Sequence, residues 1–343
     1  MRCAKTPLPE SPRRDDISAY RYVGSTIFLV PKGPSKQHYV PRCYLAGWAD
    51  PNTPAGQEPY VWVFNRGERQ GRKKAPSNLF TETDLYTLKL DSGEKNYVIE
   101  ETLSSLESKY ATILQEKIKK HIPLTEEEHI SLCAFVSVML QRTLRHKDNL
   151  EHFIDELVER TEALERAHKI PPHESDRLKR FRQDGHKIGM VQSLPDITRI
   201  LTKMSIAFLC AEGGSKFITS DDPCNLFNPD LQWQRIYGPG LAQKNVQLTL
   251  PLSPDITLCM SWTSLRGYMW WGKGQVEEAN RMVIGHCYRY FVSHSPKTRR
   301  HWFRRYPLDF FFILKILRHQ AVRVWHRFRM WYRYRHVRQR RAK

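Results

Sequence analysis

Four polar side chains stand in stretches that are otherwise apolar, and each could serve phosphate chemistry: His38, Glu107, Arg142 and Asp221. His38 falls in Gln37-His38-Tyr39-Val40-Pro41, and Pro41 suits the first position of a short helix. Backbone N–H groups at a helix start favour a neutral imidazole, which can act as a general base or ligate a metal. Asp221 and Asp222 close the strand-like run 216–220, and a carboxylate at a strand end can hold a divalent metal or accept a proton. Arg142 follows Phe135, Val138 and Met139 on the apolar face of a helix, where a guanidinium could clamp a phosphate with Glu107 orienting it. Each has a plainer, structural alternative that is the commoner one. The histidine can cap a turn, the Asp-Asp-Pro sequence can bond its own backbone, and Glu107 can pair with Arg142 because an unpartnered buried charge is costly. The chain has no phosphate-binding glycine loop, dinucleotide fingerprint, nucleophile elbow or paired-histidine zinc motif.

The elements that must position these residues read as a mixture. Residues 60–64 (YVWVF) and 85–90 (LYTLKL) have strand composition. Residues 96–120 carry Leu103, Leu106, Tyr110, Ile113 and Leu114 at helical spacing. Pro123 interrupts, and Thr125 with Glu128 is a capping-box signature for a buried helix over about 126–147. A polar helix to about 169, a linker to about 189 and a second buried helix over about 195–211, ending on Gly213-Gly214, complete the centre. Strands are expected at 216–220, 246–250, 256–262 and 289–293, with a short helix at 275–284. This order predicts an α+β fold, in which a mixed or antiparallel sheet of N- and C-terminal strands packs on a central helical layer.

Taken together, Gln-His-Tyr-Val-Pro-x-x-Tyr-Leu at 37–45, Gln141-Arg142-Thr143, Ser220-Asp221-Asp222-Pro223 and Pro251-Leu252-Ser253-Pro254 resemble the largely bacterial family called domain of unknown function 4238, over about residues 36–295. The resemblance implies that His38, Arg142 and Asp221 belong to one set. With them go an acid on the first long helix (Glu100, Glu101 or Glu107) and Asn280 near the last helix of the domain. Position 222 varies in the family, so Asp222 inherits less than Asp221. The resemblance implies no particular activity.

The net charge of +19 is unevenly spread: residues 297–343 hold 16 Lys and Arg against one acid, Asp309, leaving the first 296 residues near neutral. Phe310, Leu314, Leu317, Ala321, Val324, Phe328 and Trp331 recur at helical spacing within this segment, with Arg318, Arg323, Arg327, Arg329 and Arg333 between them. The pattern predicts a basic amphipathic C-terminal helix whose partner is nucleic acid or an anionic membrane surface. Residues 1–35 read as a flexible arm with a strand at 25–30, residues 36–295 as the main domain and 296–343 as the tail. The seven scattered cysteines have no C-x-x-C pair and predict free thiols in a reducing, cytoplasmic setting; no signal peptide or spanning segment is expected. The expected function is a nucleic-acid-directed hydrolase, a phosphodiesterase or nuclease. His38 and Asp221 would be base or ligands of a divalent metal, and Arg142 would clamp the phosphate with Glu107 orienting it. The alternative is a non-catalytic regulatory protein that binds nucleic acid or associates with an anionic membrane.

Overall fold

The apolar stripe of residues 96–120 does form a helix, and its buried face locates the core. A computed structural model describes residues 36–90, 92–228 and 239–303. The strand expected at 25–30 and the amphipathic helix expected after 304 lie outside the described residues. The chain opens with β1 (Lys36–His38) and a one-turn helix α1 (Arg42–Leu45), then the hairpin β2 (Val61–Asn65) and β3 (Gly71–Lys74). Three short strands follow, β4 (Thr81–Thr83), β5 (Leu88–Lys89) and β6 (Lys95–Asn96); β1 pairs with β4, and β5 with β6. Of the strand expected over 85–90 only β5 forms, because the chain turns through Asp84, whose φ is +54°.

The helical layer consists of α2 (Val98–Ile113), continued by a π-turn to Ile118, α3 (Glu126–Gln141), α4 (Leu144–Arg166) and α5 (Glu174–Thr202). Thr125 and Glu128 make the expected capping box at the start of α3. The single helix expected over 126–147 is instead two. Thr143 leaves helical geometry and its hydroxyl accepts from the His146 N–H at 3.3 Å, so a second cap restarts the chain as α4. The last carbonyls of α3 are served from outside: the His186 ring donates to Gln141 O at 2.8 Å, and burial pushes that imidazole down to about 4, keeping it neutral.

The linker expected at 170–189 is helix as well. Polar as it is, this stretch of α5 packs against α3 and α4, and tertiary contact outweighs composition. Pro195 sits inside α5, where its ring removes the bond to the Val191 carbonyl; Val191 is exposed, so water can serve that group. The helix expected to run to 211 stops at Thr202, and Ser205–Ala211 is strand β7. Gly213 and Gly214, both at positive φ, turn the chain after a strand rather than a helix.

The remaining strands are β8 (Thr219–Ser220), β9 (Asn225–Phe227), β10 (Gln247–Pro251), β11 (Ile256–Ser261), β12 (Gly267–Trp271) and β13 (Tyr290–Ser293), with α6 (Lys273–His286) before the last. A mixed five-stranded sheet runs in the order β12-β7-β11-β10-β9, parallel only between β12 and β7. An antiparallel four-stranded sheet, β3-β2-β13-β8, joins strands from both ends of the domain. The fold is α+β. Its main core lies between α2 and α3 and one face of the five-stranded sheet, where the rings of Tyr110 and Phe135 stack with centroids 3.8 Å apart. Phe64, Ile284, Phe291 and Trp302 form a smaller core between the four-stranded sheet and α6.

Candidate functional site

The residues of β1 are tied to the rest of the domain through their backbone as well as their side chains. Gln37 is fully buried and clamps the turn at 86–87, accepting from the Tyr86 N–H at 2.5 Å and donating to Thr87 Oγ1 at 2.9 Å. His38 Nε2 donates to the Pro76 carbonyl at 3.1 Å, which leaves the lone pair on Nδ1. Burial lowers the pKa of this half-buried ring against the Pro76 hydrogen bond, Arg142 adds to the lowering, and both favour the neutral imidazole. Arg142, 1% exposed, donates to Glu107 Oε1 at 2.8 Å and to the carbonyl of His38. Its own carbonyl accepts from the Tyr86 hydroxyl at 3.0 Å, and its guanidinium lies 5.6 Å from the Tyr86 ring centroid. Beside it, burial raises the pKa of Glu100, and Glu100 Oε2 has no partner among the described residues.

Asp221 belongs to a second cluster. Its Oδ1 accepts from the Tyr288 N–H at 2.8 Å, and its Oδ2 from Arg289 at 2.7 Å and Tyr290 at 3.0 Å. The carboxylate thus fixes the chain as it leaves α6 and enters β13. Burial pushes its pKa up, against three N–H groups that favour the charged form. Asp222 turns elsewhere: Arg145 Nε lies 2.9 Å from its Oδ2, an ion pair without hydrogen-bond alignment, and His286 Nε2 lies 3.2 Å away. Asp148 takes the Tyr288 hydroxyl at 2.6 Å. The two clusters are neighbours: the ring of Tyr39, next to His38 in the chain, lies 5.5 Å from that of Phe80, which lies 6.1 Å from that of Tyr290, whose N–H donates to Asp221.

His38, Glu107 and Arg142 are therefore brought together, whereas Asp221 and Asp222 serve the segment 286–290. Asn280 ties α6 to the strand approach, accepting from Ile218 N–H at 3.0 Å and donating to the Lys216 carbonyl at 2.8 Å. The motifs also interlock, because the Tyr44 hydroxyl donates to Pro251 O at 2.6 Å and lies 2.6 Å from Thr219 Oγ1. Among the described residues, no three His, Cys, Asp or Glu side chains are grouped to hold a metal ion. The six cysteines among them are free thiols. Sequence reasoning missed Tyr86, Arg145, Asp148 and His286. Arg145, three residues beyond Arg142 at the start of a polar helix, was the detectable one. The binding arginines expected at 318, 323, 327, 329 and 333 lie outside the described residues.

Fold and buried polar set define an α+β protein in which one charged cluster ties the helical layer to β1 and a second ties it to the four-stranded sheet. Residues 36–297 match the model of a family described as protein of unknown function (DUF4238), and the chain belongs to that family. No curated protein and no solved structure matches the chain. No helix of the described residues is long and apolar enough to cross a membrane.

Proposed function

We propose that this is a non-catalytic nucleic-acid-binding protein, in which the folded domain is a scaffold and the basic C-terminal segment is the binding element. One observation carries the reading: residues 304–343 hold 13 Lys and Arg against the single acid Asp309. So dense a cation, mostly arginine and interleaved with aromatic residues, suits phosphate contacts and base stacking. The polar set in the domain favours the scaffold over a catalyst. A phosphate clamp needs an accessible guanidinium, and that of Arg142 is buried against Glu107 and a carbonyl. A base or metal ligand needs free lone pairs, and three of the four or so acceptor sites of the Asp221 carboxylate already take backbone bonds.

A nucleic-acid hydrolase is the second reading, favoured by one feature: His38 is half-buried, its pKa is lowered by burial, and its neutral form keeps the Nδ1 lone pair. Fluorescence anisotropy with labelled RNA and DNA over a salt series tests both. The full chain should bind with a steep salt dependence. The variant Arg323→Gln, Arg327→Gln, Arg329→Gln, Arg333→Gln should bind more weakly, with a log–log slope flatter by about 3–4, since each lost phosphate contact removes ~0.9. Equal binding by parent and variant, or a parent that prefers anionic vesicles to nucleic acid, would overturn the proposal. Phosphodiester cleavage that disappears in a folded His38→Ala variant would establish the hydrolase instead.

A further inference from the structure

The five-stranded sheet has two chemically different faces. Strand alternation sends Phe208, Leu250, Leu258 and their neighbours into the main core. The opposite face, towards α6, carries the cross-strand partners Leu209, Thr257 and Pro251, and beside them Thr249 opposite Asn225. Val276 of α6 meets this face at Leu209, Phe217 and Cys259. Next to that contact the helix and sheet stand apart and leave between them a cavity of about 380 Å³ that opens to solvent. Its walls are largely apolar, with the rings of Phe227 and Trp271 on the sheet, Phe217 from the segment before β8, and Met282 and Val283 on α6.

Within these walls the hydroxyl of Thr257 is unusual. The residue is 3% exposed, it lines the cavity, and its Oγ1 has no hydrogen-bond partner among the described residues. On the same face, with one strand between, Asn225 is 4% exposed and its Oδ1 is likewise without a partner. Buried hydroxyl and amide oxygens are nearly always bonded, and a valine in place of Thr257 would fill the same space without the cost of desolvation. Asn225 does not line the cavity, but Thr257 does, and a cavity of this size, largely apolar with a few polar groups in its wall, has the form of a small-molecule site. The charged residue in its lining is Glu278, held by Arg281 through contacts of 2.6 and 2.9 Å, and no cation lines the cavity to receive an anion.

We propose that this cavity binds an uncharged small molecule with an aromatic or aliphatic body and a hydroxyl or similar hydrogen-bonding head seated on Thr257. His38, Glu107, Arg142 and Asp221 are not among its lining residues, so the site stands independently of the nucleic-acid reading.

The test uses the full chain and three related probes: 2-phenylethanol, its deoxygenated analogue ethylbenzene, and the anion phenylacetate. Saturation-transfer NMR and calorimetric titration read the binding. 2-Phenylethanol should bind with Kd on the order of 1 mM, as befits so small a ligand, and phenylacetate at least about tenfold more weakly. Thr257→Val should weaken 2-phenylethanol by about fivefold to tenfold and leave ethylbenzene unchanged. Its melting temperature should stay level or rise, since the hydroxyl has no protein bond to lose. Ala279→Phe, which fills the cavity from α6, should abolish binding of both neutral probes. The proposal fails if the full chain binds neither neutral probe, if phenylacetate binds best, or if Thr257→Val alters both neutral probes alike or neither. It fails equally if a folded Ala279→Phe variant binds as the parent does. Should Ala279→Phe not fold, the near-isosteric Thr257→Val comparison still decides.

Discussion

Arg142 owes its place in a buried helix end to the acceptors around it. Its partners differ in kind: Glu107, whose side chain is 23% exposed, and the carbonyl of His38, which comes from a segment about a hundred residues earlier. The guanidinium therefore joins the start of the domain to the junction of α3 and α4. Its pairing with Glu107 was legible from the sequence, because both residues fall on apolar helical stripes and a buried charge demands a partner. The His38 carbonyl was not, since a backbone acceptor carries no sequence signal. For the same reason Asp221 was legible as a special residue but not in its role, because its three donors are the main-chain N–H groups of 288–290. Arg142→Ala leaves one carboxylate and one carbonyl without their donor and empties a large buried volume. It should lower stability by about 3–5 kcal/mol in urea melts. An unchanged midpoint would mean that the pair contributes nothing to the fold.

At the scale of elements, local signals decided the helix that begins with Thr125 and Glu128, and tertiary contacts decided the rest. The capping box was readable because its residues bond each other. The break at 142–143 was hidden because no glycine or proline marks it, and Thr143 matters as a cap only once Arg142 is turned inward. The first half of α5, to about 189, reads as a linker because its residues are polar and follow Pro171 and Pro172. It is a helix because α3 and α4 supply the surface it packs on. Conversely, the short apolar run Ile206–Ala207–Phe208–Leu209 fits a buried helix or a buried strand equally well, and its pairing with β11 and β12 settles the matter. Thr143 tests the importance of the junction. The residue is 2% exposed and its hydroxyl accepts the third N–H of the restarted helix, so Thr143→Ala should cost about 1 kcal/mol. Thr143→Ser, which keeps the acceptor, should recover most of that loss. If serine and alanine melt alike, the hydroxyl is not what restarts the chain.

For the whole molecule, the question is where the scaffold ends and the cationic segment begins. The folded elements run past Ser295 to a short helical turn, Arg300–Phe303, that packs on α6. Trp302 is buried with Phe64 and Phe291, and its indole N–H donates to Glu277. His301 and Arg299 approach the same Glu277 carboxylate at 3.0 and 3.5 Å. A chain cut after Ser295 loses all of these contacts and should be less stable by about 3–5 kcal/mol, the cost of deleting a large buried aromatic side chain. A chain cut after Phe303 keeps them while losing a net charge of +12, and should match the full chain to within about 0.5 kcal/mol. Thermal melts of the three chains, followed by near-ultraviolet circular dichroism, separate the outcomes. If the chain ending at Ser295 melts with the full protein, residues 300–303 are not part of the folded unit. If the chain ending at Phe303 melts well below it, the apolar stripe of the last forty residues packs on the domain, and its arginines are then partly engaged by the body rather than free for a polyanion.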